Sequence, residues 1–122
     1  MARYEIRIDN WHPPLFNKVR GKHWSVEHKM KVALAELIGW YAAVEGIPKA
    51  DHRRRVALRL AGWPQGRLPD RDAFDKMLLD ALVITGQLVD DGPKWLEGRV
   101  DVELTRAEKK STVIILEDCD GQ

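Results

Sequence analysis

The stretch RLPDRDAFDKMLLDALVITGQLVDDG, residues 67–92, decides how the rest of the chain is read. Its middle is apolar enough for a core helix, yet Asp70, Asp72, Asp75, Asp80, Asp90 and Asp91 lie in and around it with one lysine, Lys76. At the α-helical repeat, a helix over roughly residues 72–85 sets Asp72, Lys76 and Asp80 in one stripe at i, i+4 and i+8. Phe74, Met77, Leu78, Ala81 and Leu82 fall on the opposite side. Leu79 and Val83 flank the charged stripe, which predicts that this side is covered as well. Gly86 closes the helix, and LVDDGP (88–93) reads as a turn. Carboxylates set this close to apolar surface need hydrogen bonds, a lysine or a cation, because burying an uncompensated charge is costly.

Working outward, YEIRID (4–9) alternates, with Tyr4, Ile6 and Ile8 on one face and Glu5, Arg7 and Asp9 on the other, as in a half-buried strand. Residues 10–24, NWHPPLFNKVRGKHW, form a long basic loop. Ser25 is placed to cap a helix with an apolar face of Val32, Leu34, Ala35, Leu37, Ile38 and Tyr41, ending near Gly46 and Pro48. HRRRVALRLAG (52–62) is a second strand, with Val56, Leu58 and Leu60 on one face and Arg53, Arg55 and Arg59 on the other. WPQGRLP (63–69) is a loop. WLEGRVDVELTR (95–106) is a third strand with Val100, Val102 and Leu104 inward. STVIILE (111–117) is a fourth, apolar on both faces and so expected to be covered on both. The predicted class is α/β in the α+β sense: a mixed sheet with two main helices in the order β-α-β-α-β-β, and one domain over residues 1–122.

The bulk numbers set limits. The chain has 122 residues, 44% of them hydrophobic, enough for one ordinary core. No apolar run reaches the ~18 residues of a membrane span, and MARYEIRIDN lacks a secretory apolar region. A single cysteine, Cys119, fits a reducing, cytoplasmic setting. The net charge of +1 hides an asymmetry. Residues 1–70 hold 13 Lys/Arg against 7 Asp/Glu, and residues 71–122 hold 7 against 12. Such halves either bind polyanion and cation respectively or complement each other in the fold.

Both readings extend to individual residues. Asp70 and Asp72 have the spacing to converge on a hard cation, Asp90 and Asp91 follow the helix in a turn, and Lys76 is placed to meet phosphate charge. Equally, Asp72 is a good N-cap, Asp75 favours the helix dipole, and Asp72 with Lys76 is an ordinary i,i+4 pair. Arg53, Arg55, Arg59 and the loop cations Lys18, Arg20, Lys22 and His23 are candidates for phosphate contacts, or a solvated strand face and loop. Of the five tryptophans, Trp40 on the first helix reads as core or dimer interface. Trp11, Trp24 and Trp63 read as loop residues that either pack or stack on bases. The histidines have no zinc-like spacing, so no zinc site is expected.

The order D-x-D-x-x-x-K-x-x-x-D-A-L, then L-x-D-D, resembles the RusA family of Holliday-junction resolvases. Here it is Asp70, Asp72, Lys76, Asp80-Ala81-Leu82, Leu88 and Asp90-Asp91. Pro13, Pro14 and Asn17 after the first strand, then a basic run from Lys18 to Lys22, extend the likeness over nearly the whole chain. The resemblance implies a homodimeric endonuclease, dependent on Mg²⁺ (or Mn²⁺), that binds four-way DNA junctions and nicks two strands of like polarity. By position, Asp70, Asp72 and Asp91 are then the metal-binding acids, with Asp90 a further candidate, and Lys76 is the catalytic lysine. Asp80 organises the site from behind the ligands. Arg67 and Arg71 join the DNA-contacting cations. Two departures stand out: Ala73 replaces the family's usual Asn, and Gly92-Pro93-Lys94 follows the paired acids. The alternatives are a non-catalytic junction-binding dimer on the same fold, which Ala73 favours, and a metal-dependent nucleotide hydrolase. Symmetric incision calls for a two-fold dimer, with STVIILE or the Trp40 region at its interface.

Overall fold

The computed structural model describes residues 2–13 and 24–119. Lys18, Arg20, Lys22 and His23, with Pro14 and Asn17, lie outside the described residues. The elements are β1 (Arg3–Asp9), α1 (Trp24–Val44), β2 (Arg54–Gly62), a 3₁₀ turn (Arg71–Phe74), α2 (Asp75–Thr85), β3 (Asp101–Arg106) and β4 (Ser111–Asp118). The predicted element order and the mixed sheet are both observed. The strands lie in the order β1-β4-β2-β3. β4 runs antiparallel to both its neighbours, and β2 pairs parallel with β3 across the connection that carries α2.

Alternation decides which face of each strand is buried. The register aligns Ile6, Ile114, Leu58 and Val102 in one row and Tyr4, Leu116 and Val56 in the next. These side chains meet Leu34, Ile38, Phe74, Met77, Leu78 and Leu82 from the helical segments in a single core. Each fully buried Leu, Ile or Phe there contributes about 1.5–3 kcal/mol of transfer free energy. The opposite helical face predicted for α2 is thus the one buried, while Leu79 and Val83 are half-buried.

Both helices end in the same device. Past α1, Ile47 N–H donates to Ala42 O (2.9 Å) and Gly46 N–H to Ala43 O (3.2 Å), with Gly46 at φ 69°. Past α2, Gln87 N–H donates to Leu82 O (2.9 Å) and Gly86 N–H to Val83 O (3.1 Å), with Gly86 at φ 80°. These are Schellman caps, for which glycine supplies the left-handed residue without a Cβ penalty.

Four expectations are corrected. α1 already includes Trp24, so Ser25 is inside the helix and Trp24 is not a loop residue. Trp40 is 60% exposed and so does not belong to the core. The α-helix proper begins at Asp75, because residues 71–74 are wound as 3₁₀. β3 starts at Asp101, not Trp95. The Gly92 carbonyl accepts from the Trp95 and Leu96 amides, and Gly98 sits at φ 68°, so the extended chain is broken until the parallel ladder with β2 resumes.

β4 is central, with both edges paired. Its outward residues Val113 and Ile115 were expected to be covered. Val113, flanked by Arg7 and Arg59, is covered at 9% exposure, whereas Ile115, flanked by Glu5 and Ala57, is half-buried. Long arginine stems cover apolar surface in this way while their heads stay wet. Among the described residues no helix is long and apolar enough to cross a membrane.

Candidate functional site

The loop from β2 to α2 positions the acids. Trp63 leaves the strand at φ 52°, with its ring stacked on His12 at 4.1 Å between centroids. The His12 Nε2–H donates to the Ala61 carbonyl at 2.7 Å. From β3, Arg106 donates to the carbonyls of Trp63 (2.9 Å) and Gly66 (2.7 Å), fixing the loop just before Asp70. Packing thus accounts for Trp63, and Arg106 is a positioning residue that sequence patterning alone had not singled out.

Asp70 precedes the 3₁₀ turn in an extended conformation (φ −69°, ψ 138°), and the Ala73 amide donates to its carbonyl at 3.1 Å. Neither Asp70 nor Phe74, the residues that precede the 3₁₀ turn and α2, makes a side-chain cap. Asp72 sits within the turn, so the N-cap role open to it from spacing does not apply. Asp70, Asp72, Arg67, Arg71 and Lys76 are all exposed.

Asp75, absent from the expected ligand set, is the perturbed group. Burial pushes its carboxyl pKa up, the negative charge of Asp72 pushes it further, and Arg99 pulls it back. Its Oδ1 is buried with no hydrogen-bond partner among the described residues. The sequence signal was its place three residues after Asp72, which we read as helix-dipole stabilisation.

The remaining acids divide. Asp80 meets Lys31 of α1 at 2.9 Å, so it ties the two helices together. Asp90 and Asp91 are exposed in the bends beyond the other end of α2. Among the described residues no three His, Cys, Asp or Glu side chains gather as a group able to hold a metal ion. Asp72 is the acid whose charge helps raise the pKa of Asp75. Mg²⁺ is commonly held by one or two carboxylates, with water and substrate phosphate completing its shell, so an exposed carboxylate beside an orphaned carboxylate oxygen suits it in kind.

The arginine face of β2 is engaged by acids from its neighbours. Arg53 meets Glu97 at 2.8 Å and Arg55 meets Glu117 at 3.1 Å. Arg59 reaches Asp101 at 2.9 Å and Glu103 at 3.4 Å. For these residues the basic and acidic halves complement each other within the fold. Arg54, between two candidates, is 1% exposed and turned to the core side. Its guanidinium donates to Asp118 Oδ1 (2.8 Å) and to the carbonyls of Gln87 (3.0 Å) and Pro48 (3.1 Å), and lies 5.2 Å from the Tyr4 ring centroid.

No family model and no curated protein sequence matches this chain.

Proposed function

We propose that the chain is a metal-dependent, structure-selective DNA endonuclease that resolves four-way junctions by paired nicks. The observation that carries this reading is the start of α2. There Asp72 is exposed beside Asp75, whose carboxyl pKa is raised by burial and by that neighbour and whose Oδ1 has no partner among the described residues. Asp70 two residues earlier and Lys76 one residue later are exposed too. A fold does not spend carboxylates this way for stability, since like charges side by side at a half-buried position are destabilising. The order of Asp70, Asp72, Lys76 and Asp91 also resembles that of the resolvases.

In this reading Asp72 and Asp75 would hold Mg²⁺ or Mn²⁺, with water and substrate phosphate completing the shell, and neither Asp70 nor Asp91 gathers with them among the described residues. When bound, the cation activates the attacking water and neutralises phosphate charge. Lys76, exposed one residue after Asp75, would offer its ammonium to the developing negative charge of the phosphodiester. Arg67 and Arg71 flank the acids and meet the DNA backbone, a role less open to Arg53, Arg55 and Arg59 while they are ion-paired. Arg106 keeps the loop that carries Asp70 in place.

A second reading, a junction-binding protein without cleavage, is favoured by one observation: no three acids gather among the described residues. Incubation of the chain with a labelled four-way junction and with linear duplex, in Mg²⁺ or in EDTA, separates the two. Cleavage of the junction in Mg²⁺ only supports the enzyme, and binding without cleavage in either condition supports the alternative.

A further inference from the structure

The chain leaves β2 through a backbone that its residue type does not favour. Trp63 sits at φ 52°, a left-handed conformation in which a bulky side chain is an outlier. Such residues persist only where their surroundings over-determine them, and they cluster at functional sites. Here the surroundings are His12 and Arg106. The His12 ring stacks on the Trp63 indole at 4.1 Å between centroids and 19° between planes, and its Nε2–H donates to the Ala61 carbonyl at 2.7 Å. The ring occupies a notch that only glycine leaves open, since a Cβ on Gly62 would come within 2.9 Å of the His12 Cε1. Arg106 donates to the carbonyls of Trp63 (2.9 Å) and Gly66 (2.7 Å).

His12 is itself firmly placed. Thr112 Oγ1–H in β4 donates to the Trp11 carbonyl at 2.6 Å, and the Asn10 amide donates to the carbonyl of Lys110, just before that strand, at 2.8 Å. β4 is paired on both edges, so His12 is anchored to the middle of the sheet. Beyond His12, the Trp63 ring lies 6.4 Å from that of Phe74, between centroids. Phe74 is 1% exposed and is the last residue of the 3₁₀ turn that carries Asp72. Three rings thus connect the end of β1 to the turn that sets Asp72 beside Asp75.

We propose that His12 is a positioning residue: stacked on Trp63, it latches the chain between β2 and the 3₁₀ turn in a strained arrangement that keeps Asp72 in place. The latch does not depend on the cleavage reading, whereas its effect on the reaction rests on that reading.

Amide exchange and junction kinetics on the full chain test this with wild type, His12→Ala and His12→Phe. In His12→Ala the amides of residues 63–66 exchange on the order of ten- to a hundredfold faster, the worth of a ring stack and a hydrogen bond, and the amides of β4 change far less. His12→Phe keeps a ring for Trp63 and loses only the Nε2–H donor, so its loop quickens by no more than about tenfold. On a labelled four-way junction in Mg²⁺, kcat falls in His12→Ala by on the order of 10²-fold with KM little changed, and His12→Phe recovers most of it. Loop amides that exchange in His12→Ala as in wild type, or quickening that is uniform through the core, would overturn the latch. A quickened loop with kcat unchanged would overturn the positioning role. A wild type that cleaves nothing sinks the cleavage reading and the positioning role with it, and the exchange rates still decide the latch.

Discussion

Two charged regions of this molecule are used in opposite ways. At one end of the sheet, Arg54 is buried and every direction of its guanidinium is answered, by Asp118, Gln87, Pro48 and the Tyr4 ring. At the start of α2, Asp70, Asp72 and Lys76 are exposed, and Asp75 keeps a buried oxygen without a partner among the described residues. The first arrangement joins the ends of α1, α2 and β4 and has no charge left over for a ligand. The second sets an exposed carboxylate near a half-buried one that it disfavours. The difference teaches where to look for function in a chain that is 32% charged. Charges that the fold buries and pairs hold it, and a buried carboxylate oxygen with no partner among the described residues, as at Asp75, marks the candidate for chemistry.

That contrast can be broken most forcefully at Arg54. Arg54→Met strands two carbonyls and the Asp118 carboxylate, and removing one partner of a buried pair costs about 3–5 kcal/mol. Urea unfolding should show the loss, and a cost under about 1 kcal/mol, the range of exposed pairs, would mean that the corner is not what joins these segments.

A smaller effect is expected at Arg106. Arg106→Ala removes two hydrogen bonds to the loop before Asp70, at about 1 kcal/mol apiece or less. Amide exchange should quicken through residues 63–66 while the core amides keep their protection. Uniform quickening would assign Arg106 to global stability instead.

Asp75 sharpens the contrast through pH. Its unfolded carboxyl titrates near 3.8, and the folded value is higher. Between the two values the native chain binds more protons than the unfolded one, so stability falls as pH rises through that window, and the deficit persists above it. Asp75→Asn should therefore melt higher than wild type at pH 7, with the difference shrinking as pH falls below 3.8. A difference independent of pH would show that ionisation of Asp75 is not the cause.

The smallest effect belongs to the outer face of the sheet. Arg55 and Glu117 form an exposed pair, so Arg55→Ala should cost no more than about 1 kcal/mol. It should also leave the salt dependence of junction binding unchanged, whereas Arg67→Ala or Arg71→Ala lowers that slope by about one each. A flatter slope in Arg55→Ala would return the β2 arginines to the DNA interface.

The parts of the fold legible in the sequence were those with a local cause. Alternation placed Tyr4, Ile6 and Ile8 correctly, and Gly86 marked the end of α2 because a left-handed cap needs no distant partner. What was missed depends on packing between distant segments. Asp80 looked like a site residue until α1 brought Lys31 to it. Arg54 was hidden inside a run of three arginines, although it shares the parity of Val56, Leu58 and Leu60 and its orientation was legible from that. In the candidate site, Asp70, Asp72 and Lys76 stood out by residue type and spacing. Asp75 did not, since its strain comes from burial and from a 3₁₀ turn that places Asp72 beside it.

The central claim is that the acids at the start of α2 serve chemistry and not the fold, and Asp72→Asn tests it most directly. The side chain makes no cap, so urea unfolding without metal should place the variant within about 0.5 kcal/mol of wild type. A carboxamide is a poorer ligand for a hard cation, so cleavage of a labelled four-way junction in Mg²⁺ should drop by on the order of 10²–10³-fold with junction binding intact. Cleavage at the wild-type rate, or a loss of cleavage matched by a loss of several kcal/mol in stability, would contradict it.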